Sequence, residues 1–398
     1  MADRRTHGRC EQGMTQGPGE ILDLIRSGNV TTRGGILAET GLSRATVAQR
    51  IDALIDAKLI RGAGDDGVTG GRRATRFAFD PDTVVVAVAL DLYRARMAIV
   101  DAHGRVVADR GLVLDTTEGP ERTLGIVLDT ASTLLAEEDI AAERLGAVGI
   151  SLPGPIDPAT SRLLEPPTMP LWNGWPIVET VRDVFDVPVY LENDADAMAY
   201  GEWAASGAEP GLPWIGVKLS EYIGAGLIIG GRIYRGLDGG AGDIGHVDVG
   251  GVRTCRCGRV GCLATVASGD AIVWTLRAAG VAVEDFPTLI AQLEAVSSSE
   301  PAVLDAVRAA GEAIGRVLAA AVGVLNPAAV VLTGELAVSP VIAAIRSAIY
   351  GASVPRATRH LTIRAGELGG DAALVGVARV ALDDLFSAAQ VNRRLTNP

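Results

Sequence analysis

The sequence predicts an α/β protein, with a winged helix-turn-helix at the N-terminus followed by a larger three-layer body. Three observations lead there. Between Glu20 and Asp80 the pattern reads helix, helix, turn, helix, hairpin, the order of a winged helix-turn-helix. From Thr83 onward, buried-strand runs alternate with amphipathic helices, as when helices cover a sheet. With 398 residues, 48% apolar and 21% charged, the chain is long enough for two or three cores and too apolar for wholesale disorder.

Residues 1–17 are polar and aperiodic and read as a disordered leader, in which His7 and Cys10 are incidental. A reader domain is expected over 18–80. Ile21, Leu22, Leu24 and Ile25 give a first helix one apolar face. Thr31–Thr32 caps a short second helix through Thr40, which Gly34 and Gly35 weaken by roughly 1 kcal/mol each. Gly41-Leu42-Ser43 makes the turn. Ser43 caps a third helix whose apolar side is Val47, Ile51, Leu54 and Ile55. Two β-prone runs around a Gly-rich tip then form the hairpin.

Beyond Thr83, two buried strands and a third after the Gly104 turn lead to a helix near 120–137. LGAVGISLPGPID is a buried strand ending in a Gly-Pro loop, and VPVYLENDADAMAYGEW is a strand running into a helix. Residues 214–250 alternate strands with Gly-rich turns, helices dominate 268–326, and AAVVLTGELA is one more strand-to-loop unit. Apolar runs such as VVVAVAL stop well short of the ~18 residues of a membrane span. No apolar stretch follows the arginines of MADRRTHGRC, so no secretory signal is expected and the location is cytoplasmic.

A net charge of −12 would ordinarily disfavour nucleic acid, but the charge is unevenly spread. Residues 1–80 hold 12 Arg/Lys and 10 Asp/Glu, a net of +2, leaving 24 against 38, a net of −14, in the rest. The third helix of a helix-turn-helix points its N-terminal residues at base edges of double-stranded operator DNA. Here those are Ser43, Arg44, Thr46, Gln49 and Arg50. Arginine pairs with guanine and glutamine with adenine. Arg72 and Arg73, beside the glycines of the wing, are placed to reach phosphates or a narrow minor groove.

CRCGRVGC brings Cys255, Cys257 and Cys262 within eight residues. Three thiolates need a fourth ligand for tetrahedral zinc, and His246 lies nearby upstream. Gly258 and Gly261 supply turns for such a loop. Four protein ligands close the shell, so the zinc is expected to be structural.

GISLPGPID, ENDADAMAYGE, GGAGDIGHVD and CRCGRVGC, in that order, resemble the motifs of the ROK family of repressors and sugar kinases over residues 20–385. The resemblance implies a two-lobed, actin-like domain of the sugar-kinase type behind the winged helix-turn-helix. One lobe is expected over 83–192 and 371–398, and the second, with the zinc loop, over 193–370. It implies a sugar deep in the cleft, with Asn193, Asp194, Asp243 and His246 as effector contacts and Asp194 at the position of the kinases' catalytic base. His246 would bind zinc through one nitrogen and a sugar hydroxyl through the other. A homodimer or homotetramer is implied as well.

The phosphate motifs depart from the kinase pattern. D-x-G-G-T becomes Asp91-Leu92-Tyr93-Arg94-Ala95, and G-T-G-I-G-x-G becomes Ser220-Glu221-Tyr222-Ile223-Gly224-Ala225-Gly226. The glycines that admit phosphates are lost, and Glu221 would repel one by about 4 kcal/mol at ~4 Å and an effective dielectric of ~20. No kinase activity is expected. In the sugar site, the family's glutamate before the histidine is Asp243, and its glutamate after the last cysteine is Ala264. A modified or phosphorylated sugar therefore stays open as effector, with Arg94, Arg256 and Arg259 as candidates to face an anion. The expected function is a repressor of carbohydrate-related genes. The alternatives are an active ATP-dependent sugar kinase with a fused DNA reader, or a DNA-binding protein that takes no effector.

Overall fold

The computed structural model describes residues 17–65, 75–295 and 300–396. They form two compact units. One comprises the chain up to Thr83 together with the residues from Asp383 onward; the other is Val84–Leu382.

The first unit starts with α1 (Pro18–Arg26). Gly17, expected in the leader, is its N-cap, and the Gly17 N–H donates to Glu20 at 2.6 Å. Proline at N1 loses no hydrogen bond, because that N–H has no partner in a helix. Thr32 caps α2 (Arg33–Thr40) through the Gly35 N–H at 3.1 Å, and Gly41 ends it in the left-handed region at φ +67°. Ser43 caps α3 (Arg44–Asp56) by accepting from the Thr46 N–H at 3.1 Å. Ile21, Leu22, Ile25, Ile36, Val47, Ile51 and Leu54 form the core between the three helices. Ile55, expected on that face, is 39% exposed, because the 3.6-residue turn carries it past the seam that Leu54 fills. Strands β1 (Ile60–Asp65) and β2 (Thr75–Phe79) pair antiparallel, with Ile60 opposite Phe79. The wing tip with Arg72 and Arg73 lies outside the described residues, as does the leader before Gly17.

The second unit holds two five-stranded sheets of the same order. The first is built from β3 (Val84–Leu90), β4 (Arg94–Asp101), β5 (Val106–Val113), β6 (Leu145–Leu152) and, after a small hairpin of β7 (Ile156–Asp157) and β8 (Arg162–Leu163), β9 (Val189–Asn193). Its order is β5-β4-β3-β6-β9, antiparallel through the first three and parallel beyond. Helices α4 (Pro120–Glu137) and α5 (Ile177–Arg182) cover one face, with Leu124, Val127, Ala131 and Val181 in its core. Next come α6 (Asp194–Ala205), β10 (Trp214–Leu219), β11 (Ile223–Ile229) and β12 (Arg232–Ile233). Helices α7 (Ala264–Ala267), α8 (Gly269–Ala278), α9 (Phe286–Glu294) and α10 (Pro301–Leu325) lead to β13 (Ala329–Thr333). Then follow α11 (Ser339–Ala352), α12 (Pro355–Thr358) and β14 (Thr362–Ala365). The second sheet runs β12-β11-β10-β13-β14 with the same sense of pairing. The two-lobed architecture implied by the resemblance is thus present. Central strands such as β3 are buried along nearly their whole length, which is why they read as continuous Val/Ala runs rather than alternating ones.

Helix α6 leaves the first sheet at Asn193 and packs on the second, where Ala199 and Tyr200 meet Trp214, Ile228 and Val331. It crosses α13 (Ala372–Leu385) so closely that a Cβ at Gly376 would collide with the Ala197 carbonyl. Among the described residues no helix is long and apolar enough to cross a membrane.

The C-terminal boundary differs from the expected one. Residues from Asp383 belong to the N-terminal unit, not to the first lobe. Arg26 pairs with Asp383, Phe386 is 1% exposed and meets Phe79 edge-on at 5.0 Å, and Asn392 of α14 (Ala388–Thr396) accepts from the Gly19 N–H at 2.7 Å. Helical periodicity alone does not say which core such a segment completes. Phe386→Ala should cost about 3–5 kcal/mol in the N-terminal unit. The check is amide hydrogen exchange. Protection of α1 and α3 falls while that of β3 and β10 holds, and unaltered protection in α1 would refute the assignment.

Candidate functional site

Three groups of side chains matter. The first is the start of α3. Arg44 and Gln49 are exposed there. The Ser43 and Thr46 hydroxyls are 2.8 Å apart, and Ser43 also caps the helix, so both are engaged in shaping the turn. Arg50 is half-buried, and its Nη1 is shielded without a hydrogen bond among the described residues. Only part of the expected reading surface is therefore displayed.

The second group is the cysteine loop. A short turn at Ile244–His246 presents His246, and pairing of Asp248 with Cys262 and of Thr254 with Val260 folds the loop back beneath it. Gly258, at φ +85°, allows the reversal between Cys255 and Arg259. His246 Nδ1 lies 3.5 Å from Cys255 Sγ, and Cys257 Sγ lies 3.7 Å from Cys262 Sγ. All four ligand atoms fall within 4.8 Å of one another, so this cluster is able to hold a metal ion. Tetrahedral zinc, with Zn–S of about 2.3 Å and Zn–N of about 2.0 Å, requires S···S near 3.8 Å and N···S near 3.5 Å. Burial pushes the Cys262 thiol up to about 12, and the neighbouring sulfurs add to that push. A bound cation is what would reverse it.

The third group lines a cavity of about 540 Å³ in the second unit. Asn193, Asp194, Asp243 and His246 all reach its wall, so the four expected effector contacts do converge. Their engagements differ. Asn193 Oδ1 accepts from the Ala195 and Asp196 N–H groups at 2.9 and 3.2 Å, and its Nδ2 donates to the Gly154 carbonyl at 2.9 Å. Its amide thus fastens the Gly-Pro loop to the start of α6. His246 turns Nδ1 to the cysteines and Nε2 towards Asp243, 3.9 Å away.

Asp194 carries a partner the motif reading missed. Lys218 Nζ donates to its Oδ2 at 2.5 Å, with both residues 9% exposed. Burial lowers the Lys218 ammonium, but the carboxylates of Asp194 and Asp91 outweigh it and hold it above its ordinary value. A signal was available, since Lys218 is one of two lysines among 36 cations and sits inside an apolar strand. Buried Glu192 pairs with Arg235. Arg94 pairs with Asp91 and Glu335, joining the turn after β3 to the loop after β13. Tyr222 packs against the core of the first sheet, and its hydroxyl accepts from Arg256.

Asp196 is 3% exposed, and its Oδ1 has no hydrogen-bond partner among the described residues. Burial, with Glu192 adding to it, holds its carboxyl well above the usual carboxylate range. The folded protein therefore keeps a proton that the unfolded chain releases near pH 4, so Asp196 opposes folding increasingly as pH rises above that value. Asp196→Asn should raise the melting temperature more at pH 8 than at pH 4.5. An equal change at both pH values in calorimetry would contradict this account.

Known proteins resemble the chain over most of its length. A family model described as "ROK family" matches residues 85–384. The xylose repressor of Bacillus spizizenii is 26% identical over 372 residues, covering 91% of this chain and 94% of the relative. The DNA-binding transcriptional dual regulator NagC of Escherichia coli is 27% identical, covering 79% of each chain. Among solved structures, a ROK family transcriptional regulator described as a homolog of the E. coli MLC protein superposes with a TM-score of 0.79 at 21% identity. It covers 96% of this chain and 98% of its own. The ROK hexokinase of Thermus thermophilus gives 0.61 at 28% identity, over 78% of this chain and all of its own. With its family match, paired sheets and cleft, the chain belongs to the ROK family.

Proposed function

We propose that this protein is a cytoplasmic, sugar-responsive transcriptional repressor that binds operator DNA as a homodimer or homotetramer and has no kinase activity. The observation that carries the DNA-binding half is the start of α3, where a capped turn displays Arg44 and Gln49 at the position from which a recognition helix reads bases. A relative named as a xylose repressor over 91% of the chain, and one named as a DNA-binding dual regulator over 79%, support the same reading. In that reading Arg72 and Arg73 anchor the wing, and Arg50, being half-buried, contacts the backbone of the duplex rather than a base.

The absence of kinase activity rests on two features of the cleft. Arg94 and Tyr222 stand where the kinase motifs have glycine, and each closes part of the path that phosphates would take. Arg94 does so through its pairs with Asp91 and Glu335, and Tyr222 through its packing on the first sheet. Asp194, at the catalytic-base position, is held as an ion pair by Lys218 and is a poor acceptor for a substrate proton. The cysteine cluster holds zinc as a structural ion through His246, Cys255, Cys257 and Cys262, a reading supported by the gathering of one imidazole nitrogen and three sulfurs within 4.8 Å of one another. Zinc there would order the wall that presents His246 to the effector. A sugar that binds differently to open and closed lobes would shift the spacing of the two DNA readers.

Arg44→Ala and Gln49→Ala should each weaken operator binding by about tenfold, in line with ~1–3 kcal/mol per specific base contact. The operator is found by genome-wide binding-site mapping and the affinity read by fluorescence anisotropy. Operator affinity unchanged in both variants would rule out α3 as the reader. Cys257→Ser should strip zinc from the purified protein, as measured by mass spectrometry of metal content. A full zinc complement in that variant would eliminate the four-ligand site. ATP with a panel of sugars should yield no ADP above background.

A further inference from the structure

The two sheets of the second unit are fastened to each other by side chains from three loops. The loop of the first lobe is residues 91–94, where β3 turns into β4. It is anchored to its own sheet. Leu92 is 2% exposed in that core, and its carbonyl accepts from the Thr116 N–H at 2.8 Å. The loops of the second lobe are residues 220–222, between β10 and β11, and residues 334–336, after β13. These two are built as one platform. The Leu219 carbonyl accepts from the Leu336 N–H at 3.0 Å, and a Cβ at Gly334, whose φ is +100°, would collide with that same carbonyl.

Two side chains cross from one lobe to the other. Tyr222 leaves the platform and packs against the core of the first sheet. Arg256 steadies it there, with its guanidinium 5.1 Å from the ring centroid and a hydrogen bond to the hydroxyl. Arg94 crosses in the opposite direction. It holds Asp91 of its own loop at 3.3 Å and pairs with Glu335 of the platform. Two carboxylates from opposing lobes thus share one guanidinium, and without it they would repel. Glycine, which the kinase motifs carry at both positions, has no side chain to reach across the gap. The cavity wall draws on both lobes, with Pro153 and Leu164 from the first and Tyr222 and Asp243 from the second, so parting the lobes opens the cavity.

We propose that Arg94 and Tyr222 form an interlobe clasp that holds the cleft closed without help from a nucleotide, and that this clasp sets the balance of open and closed lobes on which a ligand acts. A ligand moves such a balance only through unequal affinity for the two states, and the clasp fixes how much inequality is needed. Release is within reach. Arg94 and Glu335 are 58% and 31% exposed, so water can take over their hydrogen bonds, and a single half-buried ring withdraws without unfolding either sheet. The clasp itself stands on these contacts; its effect on operator binding rests on the repressor reading.

The test is hydroxyl-radical footprinting of the full chain, with Tyr222 as the reporter. Arg94→Glu sets a third carboxylate against Asp91 and Glu335, and Tyr222 oxidation should rise about tenfold, as for a tenfold larger open population. Met97 and Trp172, both 0% exposed in the first-sheet core, should stay protected, which separates opening from unfolding. Combining Arg94→Glu with Glu335→Arg rebuilds the pair in reverse and should return Tyr222 to its original level. Unchanged Tyr222 oxidation in Arg94→Glu, or a rise that the swap leaves in place, overturns the clasp. The second readout is operator affinity by fluorescence anisotropy. Arg94→Glu and Tyr222→Ser, on opposite lobes, should shift it in the same direction by about threefold or more, and the swap should restore it. Affinity unchanged in all variants, with the footprint altered as expected, overturns the link to the reader. No operator binding by the unsubstituted chain overturns the repressor reading instead, and the footprint still decides the clasp.

Discussion

The cleft depends on the junction between β9 and α6. Asn193 ends a strand of the first sheet and, through one side chain, caps a helix that packs on the second. Its Oδ1 accepts from two N–H groups in the first turn of α6, and its Nδ2 fastens the Gly154 carbonyl. That geometry aims Asp194 at Lys218 and buries Asp196 two residues further on. Removing the cap would release the Gly-Pro loop, the start of α6 and the ion pair at the cavity base together. A buried ion pair is weak evidence of stability, since desolvation offsets much of its attraction. Its value here is in positioning, because it holds a carboxylate and an ammonium side by side at the bottom of a sugar-sized cavity.

The same residues explain how a kinase-like cleft can be reused. Phosphoryl transfer needs glycine-lined approaches to the phosphates and a carboxylate free to accept a proton. Here a tyrosine and an arginine occupy the first, and a lysine neutralises the second. Around both changes the two sheets share one strand order, and each has a buried apolar core. On the proposed reading, binding without turnover would suit a sensor, because the ligand would be released unchanged and its occupancy would report its concentration.

Charge is divided in the same functional way. The body carries a net charge of −14 against +2 over residues 1–80, which would disfavour a duplex anywhere but at the N-terminal unit. In this chain arginine is the default cation, and nearly every arginine near the cleft is spent on an internal partner. Counting cations from sequence therefore does not say which of them a ligand meets. Partners decide, and partners come from different sheets.

Much of the fold was legible in the sequence because it is encoded locally. Val47, Ile51 and Leu54 recur at helical spacing, Ser43 sits where a cap belongs, and the Val/Ala runs of β3 read as a strand buried on both faces. The cysteine cluster was legible for the same reason, with three of its four residues within eight positions. What the sequence by itself left open involves residues far apart in the chain. Lys218 meets Asp194 across 24 positions, Arg94 meets Glu335 across 241, and Phe386 completes a core that begins at Pro18. No periodicity or spacing records such encounters. They are decided when two sheets and a crossing helix bring distant side chains within a few ångströms, and the charge of the cleft and the C-terminal boundary of the reader unit are decided with them.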